Sequence, residues 1–158
     1  MAEKVTVIVF SGELDKAIAA FNIAIGAASM GMEVSMFFTF WGLNILKKNQ
    51  GSIRSKGIMR KMLNFMNRGG SKRMPLSKFH MFGIGKWMMK RLMKDVNSPQ
   101  IEELMAMAKE TGVKFIACTN TMGMMGLSKE AFLPEVDSFA GTAAYLAEAR
   151  EGKVNLFI

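Results

Sequence analysis

Val113-Lys-Phe-Ile-Ala-Cys118 runs directly into Thr119-Asn-Thr-Met-Gly-Met-Met-Gly126. The first stretch is an apolar run and reads as a strand. The second reads as a tight turn and the start of a helix. Strand, turn and helix in succession form the unit of an open α/β sheet, whose ligands sit just outside the carboxyl ends of the strands. Cys118 stands at such an end, and it is the only cysteine of the chain. A thiol placed there meets backbone N–H groups and the positive end of a helix dipole. Both favour thiolate, the reactive form of sulfur.

The same alternation extends in both directions. Val5–Phe10 reads as a first strand, Ser11-Gly12 as its turn, and Glu13–Met30 as a helix with Gly31 at its end. Glu33–Phe40 is almost continuously hydrophobic, as suits a strand covered on both faces. Ile101, Leu104, Met105 and Ala108 repeat at helical spacing within Pro99–Glu110, and Gly112 closes that helix. Beyond Cys118, Lys129–Phe132 predicts a helical turn and Glu135–Asp137 a short strand. Phe139–Arg150 predicts the last helix, ended by Gly152, and Val154–Ile158 the final strand. Alternating strands and helices imply an α/β fold with a mostly parallel sheet and right-handed crossovers. Between Ala17 and Leu46 the only charge is Glu33. The Ala/Gly-rich first half and aromatic second half read as a helix packed on a sheet and then a buried strand, not as a membrane span.

At 158 residues the chain has the size of one domain, 1–158, with enough apolar content for a real core. A lone cysteine excludes an internal disulfide and fits a reducing compartment, the cytoplasm. With one histidine as well, no zinc set can be drawn, and no cofactor is called for. The start, Met1-Ala-Glu-Lys-Val-Thr-Val-Ile-Val-Phe10, is a strand and not a signal peptide.

The net charge of +8 is unevenly spread. Residues 47–94 hold 14 Lys/Arg and no acid, while the remainder holds 7 Lys/Arg against 13 acids. Eight of the 17 methionines also lie in 47–94. Asn49-Gln-Gly-Ser52 and Asn67-Arg-Gly-Gly-Ser71 are loop signals. Between them, Gly57–Met66 carries Ile58, Met62, Leu63 and Met66 on one face. After Pro75, Phe82, Ile84, Trp87, Met88 and Leu92 mix with Lys86, Lys90 and Arg91. The segment therefore reads as an insertion of two short basic amphipathic helices. Docking against another copy or an acidic partner is its first reading, and peripheral contact with an anionic membrane surface its second. Nucleic acid is set aside, because nothing resembles a nucleic-acid module and the rest of the chain is acidic.

In a parallel sheet the strand carboxyl ends share an edge. That edge gathers Ser11-Gly12, Phe40-Trp41-Gly42 and Cys118 with its glycine-containing turn. The expected pocket is small, apolar and rich in backbone donors: Ser11, Gly12, Phe40, Trp41, Thr119, Asn120, Thr121, Met122 and Gly123 around the sulfur of Cys118. No carboxylate pair and no Ser-His-Asp set is available. His80 would have to swing in from the insertion to act as a base, and it is given no role. Attack on a persulfide donor needs only a thiolate. Plainer readings stand beside this one. A free cysteine is often buried packing, and Met122, Met124 and Met125 suit core filling. Oxidation of Cys118 to sulfenic acid, as in a redox sensor, is a further option.

Phe37-Phe-Thr-Phe-Trp-Gly-Leu43 after the second strand, together with Ala117-Cys-Thr-Asn-Thr-Met-Gly-Met-Met-Gly126, resembles the DsrE/DsrF-like sulfur-relay proteins. The closest likeness is to their single-domain branch with a long basic insertion. The resemblance covers essentially the whole chain. It implies a three-layer α/β/α fold with a five-stranded parallel sheet, and homo- or hetero-oligomers. It also implies a sulfurtransferase whose Cys118 accepts sulfane sulfur and passes it on, with rhodanese-like or small sulfur-carrier proteins as partners. Thr121, Met122 and Gly126 match the motif that follows the cysteine, and Gly123 stands where a larger residue is common. The alternative is a membrane-peripheral or scaffold subunit that acts through 47–94, with Cys118 structural.

Overall fold

The computed structural model describes residues 2–49 and 56–158. The loop signal at Gln50-Gly-Ser52 lies outside the described residues. In chain order the elements are β1 (Lys4–Val9), α1 (Leu14–Ser29), β2 (Glu33–Phe38), a 3₁₀ turn (Phe40–Gly42) and α2 (Leu43–Leu46). Then follow α3 (Ile58–Met66), α4 (Ile84–Asp95), α5 (Ile101–Glu110), β3 (Lys114–Cys118), α6 (Thr119–Met125), β4 (Ser138–Ala140), α7 (Thr142–Ala149) and β5 (Val154–Phe157). The five strands lie in the order β4-β3-β2-β1-β5, and every pair is parallel. The α/β fold with a five-stranded parallel sheet is therefore as expected. No helix among the described residues is long and apolar enough to cross a membrane.

Alternation along each strand divides the core in two. On one face Phe38 and Phe115 meet Phe21 of α1, with Leu104 and Ala108 of α5 beside them. On the other, Phe37, Ile116 and Cys118 gather under Tyr145 of α7. The phenol of Tyr145 reaches Thr6 Oγ1 at 3.0 Å, and Thr6 donates to Asn155 Oδ1 at 2.5 Å, so α7 is tied to β1 and β5 by a buried polar link. The segment between α2 and α5 is not wholly peripheral. Met74 and Leu76 belong to the core, Leu14 N–H donates to Pro75 O, and Asp15 accepts from Ser77 N–H at the first turn of α1.

Most element ends fall within one or two residues of those expected, and two strand boundaries differ in ways that bear on the site. The fourth strand is Ser138–Ala140 rather than Glu135–Asp137, and Phe139 lies in it rather than opening the last helix. The cause is Asp137, whose carboxylate takes the Phe115 N–H at 2.7 Å and the Lys109 ammonium at 2.5 Å. Asp137 N–H still donates to Phe115 O, but its side chain takes the place of a β4 carbonyl on Phe115 N–H, so regular pairing begins at Ser138. β2 ends at Phe38 rather than Phe40. Thr39 N–H still donates to Val9 O, but Gly42 N–H turns back to Phe10 O and bends the chain. Glycine is required there, since a Cβ at Gly42 would lie 1.9 Å from Val9 O.

Candidate functional site

Cys118 closes β3 and is also the N-cap of α6. The register pairs it with Ala140 of β4 and sets Phe38 beside Ala117. One residue further, Thr39 falls beside Cys118. Thr39 Oγ1 and Thr121 Oγ1 are 3.0 Å apart, and Phe40 N–H donates to Thr121 Oγ1 at 3.3 Å. The ends of β2 and β3 are thus joined by hydroxyls next to the sulfur. Phe40 sits at φ 48°, a left-handed conformation that bulky residues seldom adopt. Its N–H bond to Thr121 helps to hold it there.

Burial pushes the Cys118 thiol up, as it does any group that must become charged in an apolar setting. The Thr121 N–H, the Thr39 and Thr121 hydroxyls and the Asn120 N–H oppose this, and together they outweigh it. The thiol is held below its ordinary pKa. Asn120 and Thr121 are the second and third residues of α6, whose N–H groups have no partner within the helix, although Cys118 makes no side-chain capping hydrogen bond. The arrangement can hold a sulfur anion without any acid or base beside it. The sulfur is covered, with Cys118 2% exposed. β4 and the start of α7 form part of that cover, and Asn120 Nδ2 meets Thr142 Oγ1 across the joint at 3.5 Å.

The expected pocket residues divide into two groups. Asn120 and Thr121 act on the sulfur directly, and Phe40 joins them through its backbone. Met122 is buried in the α1/α5 core, Thr119 is exposed, and a side chain at Gly123 would meet nothing within 4 Å. Ser11, Gly12 and Trp41 line a separate cleft of about 370 Å³ with Phe10, Lys16 and Pro75, and Cys118 is not among its lining residues. The cleft forms because Gly12 packs against the Trp41 backbone, where a Cβ would lie 2.5 Å from Trp41 O. His80 is occupied within the insertion, accepting Leu76 N–H on Nδ1. No group of three or more His, Cys, Asp or Glu side chains among the described residues is arranged to hold a metal.

Two residues escaped the sequence reading. Thr39 is the one hydroxyl in Phe37-Phe-Thr-Phe-Trp41, and parallel register was the signal that would have placed it beside Cys118. Lys47 is buried, and desolvation lowers its pKa to about 8. Among the described residues its ammonium makes one hydrogen bond, to Asn67 O at 3.2 Å, which joins the end of α2 to the end of α3.

Comparison with known proteins places the chain. It is 46% identical over 156 residues to the protein YrkE of Bacillus subtilis, covering 99% of this chain and 97% of that one. It is 35% identical over 163 residues to the sulfur carrier protein DsrE2 of Allochromatium vinosum, covering 99% and 98%. Among solved structures, ychN of E. coli superposes with a TM-score of 0.59 at 9% identity over the whole of both chains. MTH1491 of Methanobacterium thermoautotrophicum does so at 0.57 and 12% over 99% of each, and these two likenesses concern the fold alone. The family model for DsrE/DsrF/DrsH-like proteins matches residues 1–157, and the chain belongs to that family.

Proposed function

We propose that this protein is a sulfur carrier that holds sulfane sulfur as a persulfide on Cys118 and hands it to a protein acceptor with its own thiol. The observation that carries the reading is the sulfur's setting. The chain's one thiol is held towards thiolate by two hydroxyls and two backbone N–H groups. The 35% identity to a DsrE2 sulfur carrier supports the same relay role.

The Cys118 thiolate attacks the outer sulfur of a donor persulfide, R–S–S–H. A new S–S bond forms on Cys118, the donor's S–S bond breaks, and its electron pair leaves with the donor as a thiolate. The persulfide loses its proton to solvent. Its terminal anion occupies the donors that held the thiolate. An acceptor thiolate then attacks that terminal sulfur, and the electron pair of the broken bond returns to Cys118. No net oxidation occurs and no proton-transfer residue is needed.

Exposure of the folded protein to inorganic polysulfide, followed by intact mass measurement, tests the proposal. The wild type gains one sulfur atom, reversibly by reductant, and Cys118→Ser gains none. An unmodified wild type, or a Cys118→Ser protein that still gains sulfur, overturns it. The burial of Cys118 favours a second reading, in which the cysteine is packing and the protein acts through 47–94. An unmodified wild type is the result that reading requires.

A further inference from the structure

The segment between α2 and α5 is folded inside out. α3 turns Asn64, 3% exposed, to the body, where Nδ2 donates to Met125 O. Its apolar stripe points away: Ile58 is 86% exposed and Phe65 67%, with Met62 between them on the same face. α4 repeats the arrangement in part: Met93 is its buried residue, as Leu63 of α3 packs on the core, but the rest of its apolar chains stay outside. Lys86 and Lys90 lie half-buried towards the body, and Lys86 Nζ donates to Lys72 O. Ile84, Trp87, Met88 and Leu92 face outward, Trp87 at 68% exposure. Phe79 and Phe82 stand exposed in the connection between the helices, both at positive φ. Helices that serve a globular core do the reverse, so this face is built for an apolar surface outside the protein.

Charge selects among the surfaces. Residues 47–94 carry 14 cations and no acid. Among the described residues, Arg91 alone of these cations has an ion pair, with Asp95 at 3.6 Å. A second copy meeting this face with the same face would bring like charge against like charge, which opposes association. An anionic bilayer offers both an apolar interior for the stripe and negative headgroups for the flanking cations.

We infer that the outward faces of α3 and α4 bind peripherally to an anionic lipid bilayer, with Ile58, Met62, Phe65 and Trp87 entering the headgroup boundary and Arg60, Lys61 and Arg91 on the phosphates. The inference is independent of the chemistry at Cys118. The face lies beside the sulfur edge, because α3 is held to the C-terminal end of α6, whose N-cap is Cys118.

Co-sedimentation of the full chain with vesicles tests it. One set is equimolar phosphatidylglycerol and phosphatidylcholine, and the other phosphatidylcholine alone. Binding to the anionic vesicles is expected to exceed binding to the neutral ones by at least about tenfold, and to fall in high salt as surface electrostatics require. Met62→Glu/Trp87→Glu removes it while circular dichroism stays unchanged, since both side chains are exposed. Arg60→Glu/Lys61→Glu weakens it and leaves the apolar stripe intact. Absence of binding to anionic vesicles overturns the inference, as does binding that survives Met62→Glu/Trp87→Glu. A dimer in sedimentation velocity that Met62→Glu/Trp87→Glu dissociates, without vesicle binding, assigns the face to a second copy instead. Equal binding to both vesicle types would show adsorption without charge recognition and likewise overturns it.

Discussion

In β2, Phe37 and Phe38 are both buried, one on each face of the sheet, whereas in α3 Ile58, Met62 and Phe65 form a stripe with nothing over it. The two regions are assembled from similar apolar residues, and Met is frequent in both. What differs is the polar residue. At the sheet edge, Thr39, Thr121 and the α6 N–H groups turn inward to a single sulfur, and the apolar chains close round them. In α3 and α4, Asn64 and Lys86 turn inward, where Met125 O and Lys72 O accept their hydrogen bonds, while Arg60, Lys61 and Arg91 stay exposed beside most of the apolar chains. Partners for polar groups decide which face of a helix is buried when the body offers carbonyl oxygens rather than an apolar groove.

Substitutions of one residue type in both regions put this contrast to the test. Met36→Ala, at 0% exposure in β2, is expected to cost about 2–5 kcal/mol of unfolding free energy. Met62→Ala, at 60% exposure in α3, is expected to stay within about 0.5 kcal/mol. Urea titration of the two variants measures both. A comparable loss at Met62 would mean that the α3 stripe is covered in solution, and the contrast would fail.

A smaller effect is expected where the regions join. Lys47 buries a cation whose pKa falls to about 8 from 10.5, a penalty of about 3 kcal/mol. Lys47→Met relieves it and loses about 1 kcal/mol with the hydrogen bond to Asn67 O, for a net gain of about 2 kcal/mol at pH 7. Between about pH 8 and 10.5 the unfolded chain binds the proton more tightly than the folded one. The Lys47 contribution to stability therefore rises with pH across that window, and its penalty is fully present below it. The gap in urea midpoint between Lys47→Met and the wild type should narrow as pH rises through that window.

The smallest effect concerns the sulfur itself. Thr121→Val removes a hydroxyl that favours the thiolate and the acceptor of Phe40 N–H. Alkylation of native Cys118 at pH 7 should slow by about two- to tenfold, the worth of one hydrogen bond. The pH midpoint of labelling should move upward. A midpoint that stays put would remove Thr121 from the site.

The fold was legible because strands covered on both faces are continuous apolar runs, and the helices between them keep a 3.6-residue period. Cys118 was legible for the same reason: the period changes immediately after it. Thr39 was not, because its neighbour is set by the pairing of β2 with β3 and not by anything within either segment. β4 was misplaced because the Asp137 carboxylate accepts the Phe115 N–H that a strand carbonyl would otherwise accept. Ser11, Gly12 and Trp41 were grouped with the sulfur because they share its edge, although the 3₁₀ turn at Phe40 sends Trp41 into a different cleft. Amphipathic spacing disclosed two faces on α3 and α4 but not which one the body would take.

β1 lies between β2 and β5, and its second partner is remote in the sequence: Val5 pairs with Val154 and Ile8 with Phe157. During synthesis β1 and β2 leave the ribosome well over a hundred residues before β5. Throughout that interval one side of β1 presents a row of unmatched amides and carbonyls, a template for any extended chain nearby. The amphipathic helices α3 and α4, with their exposed apolar stripes, emerge in the same interval. Closure of the sheet is a long-range event, slow for its entropy, and the nascent chain is at its most aggregation-prone just before it is complete.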